Sequence, residues 1–246
     1  MRYKITIEYD GTNLLGWQKQ NEGVSVQYYL EEAINGFSHQ DVEVIGAGRT
    51  DAGVHAIAQV AHFDLETIMD TFHIKEAINA RLRILEAPIS VLNVEEVDSS
   101  FHARFSAIKR GYIYRILNRR APTVLLKDRV WVTGFPLDVE KMRQGAKYLI
   151  GNHDFSSFRG AGCQASSPIK TLDKIDIDVY GDEIVFTVEA KSFIYHQVRN
   201  IVGTLKLVGE GRLAPEDIKI ILEKKDRRAA GATAPACGLY LNKVMY

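Results

Sequence analysis

Cysteine, long apolar runs and a net charge of either sign are what this chain lacks, and each absence narrows its class. Cys163 and Cys237 are the only cysteines in 246 residues, far apart in sequence and without metal-site pairing. A disulfide-stapled scaffold is excluded, and a cytoplasmic chain with free thiols is the simplest account. No run of about 18 apolar residues occurs, so no transmembrane helix is expected and the membrane is not a partner. Met1-Arg2-Tyr3-Lys4-Ile5 enters a strand at once and lacks the apolar core of a signal peptide. What remains, 46% hydrophobic and 25% charged residues, is an ordinary globular composition. Its length fits one large or two modest domains.

The balance of 31 basic and 31 acidic residues hides an asymmetry. Residues 1–103 carry seven Lys and Arg against sixteen Asp and Glu, a net of −9. Residues 104–246 carry twenty-four against fifteen, a net of +9. Such a split points to a polyanionic partner on the basic half, or to attraction between the halves; charge alone leaves both open.

Alternation of Tyr3, Ile5, Ile7 and Tyr9 with Lys4, Thr6 and Glu8 predicts a strand over Tyr3–Tyr9. A loop over Asp10–Gly23 follows, with Gly11, Gly16 and Trp17 among polar neighbours. The pattern then predicts a helix over Ser25–Phe37 and strands over Val42–Ile45 and Val54–Phe63. A helix over Ile74–Leu85, stopped before Pro88, leads to a strand over Ile89–Val94. This β-α-β-β-α-β order is the split βαβ, or ferredoxin-like, unit. The second half repeats the order without repeating the sequence. Its strands are Tyr112–Leu117, Lys170–Tyr180, Ile184–Ala190 and Leu239–Met245; its helices are Asp138–Ile150, Phe193–Val208 and an added Pro215–Lys224. The fold class read from this is α+β: two ferredoxin-like domains in pseudo-repeat, 1–103 and 104–246, with a cleft between their sheets.

Between the middle strands of the first half lies Gly46-Ala47-Gly48-Arg49-Thr50-Asp51-Ala52-Gly53-Val54-His55-Ala56. Three glycines predict a tight path with positive φ or close approach. Asp51 is the only carboxylate there and Arg49 lies two residues away; the residues alone leave it either a turn cap or a catalytic group. Nucleotide-loop readings fail on spacing: Asp51 stands where a dinucleotide fingerprint needs glycine, a strand follows instead of a helix, and Val54 follows where a P-loop needs lysine.

Arg104 to Arg120 carries Arg104, Lys109, Arg110, Arg115, Arg119 and Arg120 and no acid, interleaved with Phe105, Tyr112 and Tyr114. Such a mix suits looped or single-stranded RNA, and equally an exposed basic strand with core tyrosines. Tyr195 and Arg199 lie four apart on the helix expected over Phe193–Val208, where Arg199 either snorkels to solvent or pairs with a carboxylate. The histidines lack ligand spacing, so no metal is expected. Glu223-Lys224-Lys225-Asp226-Arg227-Arg228 reads as a solvated helix end.

The octapeptide Gly48-Arg49-Thr50-Asp51-Ala52-Gly53-Val54-His55 resembles the catalytic motif of the TruA-type tRNA pseudouridine synthases. Further blocks resemble that family in order: Tyr9-Asp10-Gly11 with Gly16-Trp17-Gln18-Lys19-Gln20, Phe101–Ala107, His153–Arg159, His196–Gly203 and Gly238-Leu239-Tyr240-Leu241. The resemblance implies the two-domain architecture with the catalytic loop facing the cleft. It implies Asp51 as catalytic carboxylate, Tyr112 as the base-stacking tyrosine, Arg199 as the partner of Asp51, and Arg49 beside the flipped nucleotide. Arg104, Lys109 and Arg110 are the candidate RNA contacts. Family membership would bring tRNA as partner, uridines on the 3′ side of the anticodon arm as targets, a homodimer and no cofactor. Asn79-Ala80-Arg81-Leu82-Arg83 departs from the family's Asn-x-Leu-Pro turn, and Gly111 stands where the family is often basic. Two other classes compete: a non-catalytic RNA-binding protein on this fold, which needs no Asp51, and a small-substrate isomerase, which needs no basic half.

Overall fold

Tyr3, Ile5, Ile7 and Tyr9 form the buried face of the first strand, β1 (Arg2–Tyr9), in the computed structural model, which describes residues 1–246. There follow α1 (Val26–Ser38), β2 (Ile45–Gly46), β3 (His55–Asp64), α2 (Thr71–Ile84) and β4 (Ile89–Val97). The second run is β5 (Lys109–Asn118), β6 (Trp131–Thr133), α3 (Val139–Lys147), β7 (Gly151–Asp154), β8 (Ile169–Tyr180), β9 (Glu183–Ala190), α4 (Gln197–Gly209), α5 (Asp217–Lys224) and β10 (Leu239–Met245). The fold is mixed α/β, and no helix is long and apolar enough to cross a membrane. Helix starts follow capping chemistry: Ser25, Asp70 and Asp138 accept from the amides of Tyr28, His73 and Lys141.

The chain divides into two compact units, Met1–Ile108 with Tyr240–Tyr246, and Lys109–Leu239. The end of the chain returns to the first unit. There the Ile108 amide donates to the Met245 carbonyl at 2.9 Å, and the Tyr246 hydroxyl to the Ala103 carbonyl at 2.8 Å. Counted by unit, the first carries nine basic and sixteen acidic residues and the second twenty-two and fifteen, so the charge asymmetry keeps its sign.

In the first unit, β1 lies between β3 and β4 and is antiparallel to both. β2 pairs antiparallel with one end of β3, Ile45 opposite His62, and β10 pairs parallel with its other end, Tyr240 opposite His55. The strand expected over Val42–Ile45 shrinks to Ile45–Gly46, since the Val44 amide is taken by Glu31 Oε1 at 3.2 Å. Asn79 of α2 bonds both the amide and the carbonyl of Val91, which fastens that helix to β4.

In the second unit β9 lies between β5 and β8, β7 pairs with β8, all antiparallel, and β6 runs parallel on β5. The three- and four-residue strands β6 and β7 escaped the sequence pattern; each is too short to show a period. α3 is shorter than expected and stops at Lys147, ahead of Gly151 at φ +105°. α4 begins at Gln197 rather than Phe193 because His196 is in the left-handed region at φ +62° and Gln197 Oε1 accepts the Ile194 amide. Tyr195 therefore precedes the helix and does not share a helical face with Arg199.

Candidate active site

The loop that carries Asp51 is held mainly by its own backbone. The Ala47 amide donates to the Val60 carbonyl at 2.7 Å, and Gln59, fully buried on β3, reaches the Gly48 carbonyl with Nε2 at 2.8 Å. Tyr9 and Thr50 share a buried hydroxyl bond of 2.8 Å. The Trp17 amide donates to the Thr50 carbonyl, the Gly53 amide to Leu14, and the Val54 amide to Asp51 at 3.1 Å, which closes a turn through Gly53 at φ +76°.

The connecting segment after β1, which the sequence marks only as a loop, is therefore the support of the motif. A Cβ at Gly11 would stand 2.1 Å from the Val54 carbonyl oxygen, and one at Gly16, where φ is +85°, 2.3 Å from that of Thr50. Of the three motif glycines only Gly53 has a positive φ; Gly46 is needed because a Cβ would stand 2.5 Å from the Trp17 indole. The result is an ordered display: Thr50 buried, Asp51 half-buried, Arg49 and Ala52 exposed.

Two histidines of β3 serve this scaffold from one face of the strand, because β3 carries an extra residue between Ala56 and Gln59. His55, buried, has Nδ1 3.0 Å from the Gly11 amide and 3.1 Å from Asp10 Oδ1, and its ring stacks on Tyr240. His62 accepts the Ala103 amide at 3.2 Å; burial, with His102 and Arg2 nearby, lowers its pKa to about 4. No group of three or more His, Cys, Asp or Glu could hold a metal ion.

In the second unit Tyr112 and Tyr114 share one face of β5. Tyr114 is fully buried, its hydroxyl donates to the Pro235 carbonyl at 2.8 Å, and burial raises its pKa. Tyr112 keeps 9% of its surface exposed and meets Phe193 edge to face at 5.2 Å. The acids missing from the basic strand come from its neighbours. Lys109 Nζ lies 3.3 Å from Asp173 and 3.8 Å from Glu189, Arg115 grips Glu183 with two nitrogens, and Arg119 lies 3.4 Å from Asp182. Arg110 is buried and donates to the Lys191 carbonyl at 2.6 Å. Arg104 belongs to the first unit, exposed beside the Phe105 ring.

Arg199 is half-buried on α4, and its Nε donates to the Ala234 carbonyl at 2.8 Å. The next residue, Asn200, is fully buried in a polar network with Arg227 and Thr233 that sequence reasoning passed over. Its one signal was a polar residue within the apolar stripe of a helix. Tyr195, 44% exposed, stacks on His196 at 3.7 Å. The structure thus sets Asp51 and Arg49 on one unit, and Tyr112 and Arg199 on the other.

Comparison with known proteins covers both units. The pattern of a family described as tRNA pseudouridine synthase matches residues 5–106 and 146–246. A relative from Parvibaculum lavamentivorans, named tRNA pseudouridine synthase A, is 50% identical over 245 residues, spanning 100% of this chain and 99% of its own. A relative of the same name from Paramagnetospirillum magneticum is 50% identical over 245 residues, spanning 100% and 95%. One from Ehrlichia ruminantium is 52% identical over 247 residues and spans 100% of both chains.

Proposed function

The chain belongs to the tRNA pseudouridine synthase family, and on that premise we propose that Asp51 is its catalytic carboxylate. The chain is an enzyme that isomerises uridine to pseudouridine in tRNA. That reaction breaks the bond from uracil N1 to C1′, turns the base and rejoins it through C5. No group is imported and no electron leaves, so the reaction calls for no cofactor. It does call for a carboxylate at the reacting nucleotide, a clamp on the loosened base and exclusion of water.

The carrying observation is a half-buried Asp51, the only carboxylate in the 46–56 loop, on a backbone fixed by Leu14, Trp17 and Gln59. A group so held loses little freedom when substrate arrives, which is where orientation contributes to rate. In this reading Tyr112 stacks on the uracil, Arg199 binds the substrate, and Arg49 fills the place the nucleotide leaves. Extrusion costs a few kcal/mol, offset by stacking and phosphate contacts. Arg104, Lys109 and Arg110 are the phosphate contacts. Arg104 is supported by its exposure; Lys109 and Arg110 must exchange their protein acceptors for phosphates.

The finer fold reading is two ferredoxin-like halves in pseudo-repeat, 1–103 and 104–246, facing a catalytic cleft. It is supported by β1-α1-β2-β3-α2-β4 with antiparallel order β4-β1-β3-β2 in the first unit, and by the succession β5-α3-β8-β9-α4 in the second. The family resemblance supports targets on the 3′ side of the anticodon arm, a homodimer and a cytoplasmic setting.

The test is release of tritium from tRNA labelled at uridine C5. The expected result is release without added cofactor. Binding without release would make the chain an RNA-binding module, and release from free nucleotides alone would make it a small-substrate isomerase.

A further inference from the structure

The charged run that ends α5 reads in sequence as a solvated helix end, and Arg228 fits that reading: it is exposed and grips Asp226 with two nitrogens. Its neighbour Arg227 turns inward. Arg227 Nη2 lies 3.0 Å from Asn200 Oδ1 and 3.1 Å from Thr233 Oγ1, and Nη1 donates to the Ala230 carbonyl at 3.3 Å. The Thr233 hydroxyl donates to Asn200 Oδ1 at 2.7 Å, which closes a three-membered ring, and Asn200 Nδ2 donates to the Phe158 carbonyl. None of these acceptors is a carboxylate, and burial lowers the pKa of Arg227. An arginine bound only to neutral acceptors is held by geometry; its planar fork reaches three oxygens that an ammonium group could not span together.

The ring belongs to a strap. At its start the Asp226 amide donates to Ser157 Oγ at 2.9 Å, and that buried hydroxyl donates to the Ile221 carbonyl. Along α4 the Gly231 amide donates to Thr204 Oγ1, and Gly203 leaves no room for a side chain, since a Cβ there would stand 1.9 Å from the Ala232 carbonyl oxygen. At its end the strap exchanges two bonds with Arg199: Nε to the Ala234 carbonyl at 2.8 Å, and the Ala234 amide back to the Arg199 carbonyl at 3.2 Å.

We infer that Arg227 is a positioning residue for the reaction: it fixes the 226–235 strap, whose Ala234 carbonyl orients the Arg199 guanidinium. This rests on the substrate-binding role given to Arg199 above. Arg227 touches no reacting atom and acts through the strap.

The test uses two readouts on full-length Arg227→Lys and Arg227→Gln. The first is turnover: kcat for tritium release should fall by about tenfold to a hundredfold, as small misplacements do. Binding of tRNA should stay within about threefold of wild type. The second is the Arg199 Nε–H resonance, whose exchange with water should quicken by about tenfold or more while core amides keep their protection. Unchanged exchange in a folded variant overturns the inference. Faster exchange with wild-type kcat overturns it as well, by showing that the orientation of Arg199 is not used in turnover. A lysine variant equal to wild type in both readouts would show that charge alone suffices, and would also overturn it. Should Arg227→Gln fail to fold, Thr233→Val breaks the same ring at nearly constant volume and carries both readouts, with a loss of about threefold to tenfold expected. A wild-type chain without tritium release sinks the functional reading itself, which the exchange readout does not depend on.

Discussion

The Asp51 loop and the Arg199 turn of α4 combine backbone and side-chain contacts in different proportions. Around Asp51 the main chain does most of the holding: glycines at 11 and 16 let two loops touch backbone to backbone, Gly46 makes room for the Trp17 indole, Gly53 turns at positive φ, and amides of Trp17 and Gly53 meet carbonyls of Thr50 and Leu14. Around Arg199 a side-chain ring of Asn200, Thr233 and Arg227 is added to the close backbone approach at Gly203, and together they set the strap carrying the Ala234 carbonyl. A backbone interlock tolerates no added atom, whereas a side-chain ring that loses one bond gives up only part of its hold. The two regions should therefore break differently, the first by sterics and the second in steps.

The largest expected effect comes from Gly16→Ala. The new Cβ would meet the Thr50 carbonyl at 2.3 Å on a residue with φ +85°, so strain and overpacking together should cost about 3 kcal/mol or more. Gly162→Ala is its control: φ is +76° with nothing within 4 Å, and a loss of about 1 kcal/mol is expected. Equal losses in urea melts would show that close approach contributes nothing at Gly16.

Acid should also separate the two regions. His62 binds its proton more weakly folded, at about 4, than at its ordinary 6.5, so the unfolded chain protonates first as pH falls. Stability is then lost between pH 6.5 and about 4, by up to about 3 kcal/mol, and levels off below. The ring of Arg227, Asn200 and Thr233 holds no group that titrates in that window. His62→Asn, which keeps an acceptor near the Ala103 amide, should flatten this limb of the stability curve; an unchanged limb would assign it elsewhere.

Tyr112→Leu should lower turnover by tens of fold, in line with about 1–3 kcal/mol per stacked base, and Tyr112→Phe should keep most of it. Wild-type turnover in the leucine variant removes stacking, and a phenylalanine variant as slow as leucine gives the hydroxyl a chemical role. The smallest effect is expected at the phosphate contacts. Arg104→Ala should weaken tRNA binding a few-fold and reduce the salt slope by about 0.7–0.9, with Lys109→Ala doing less because Asp173 and Glu189 already face that ammonium. Equal losses would mean that those carboxylates yield to phosphate.

Much of this was legible from local signals. Period-two alternation located β1, the strands expected over Tyr112–Leu117, Lys170–Tyr180 and Ile184–Ala190 coincide with β5, β8 and β9, and the Gly-Arg-Thr-Asp-Ala-Gly run marked the loop at the head of β3. Illegible features were those that depend on distant partners. The glycine pair at 11 and 16 reads as a loose loop until Val54 and Thr50 are seen against it. The basic strand looks free of acid because Asp173, Glu183 and Glu189 come from strands more than fifty residues away. Arg227 resembles its neighbour Arg228 in every local respect, and only the approach of Asn200 and Thr233 tells them apart.

The central claim is that Asp51 supplies an indispensable charge on a scaffold that does not depend on it, and Asp51→Asn tests this most directly because it removes the anion and keeps the shape. Measured at saturating tRNA labelled at uridine C5, the variant should melt like wild type and bind within about tenfold, a difference of about 1.4 kcal/mol, with tritium release below detection. Substantial release from Asp51→Asn would contradict the account and return Asp51 to the role of a turn residue.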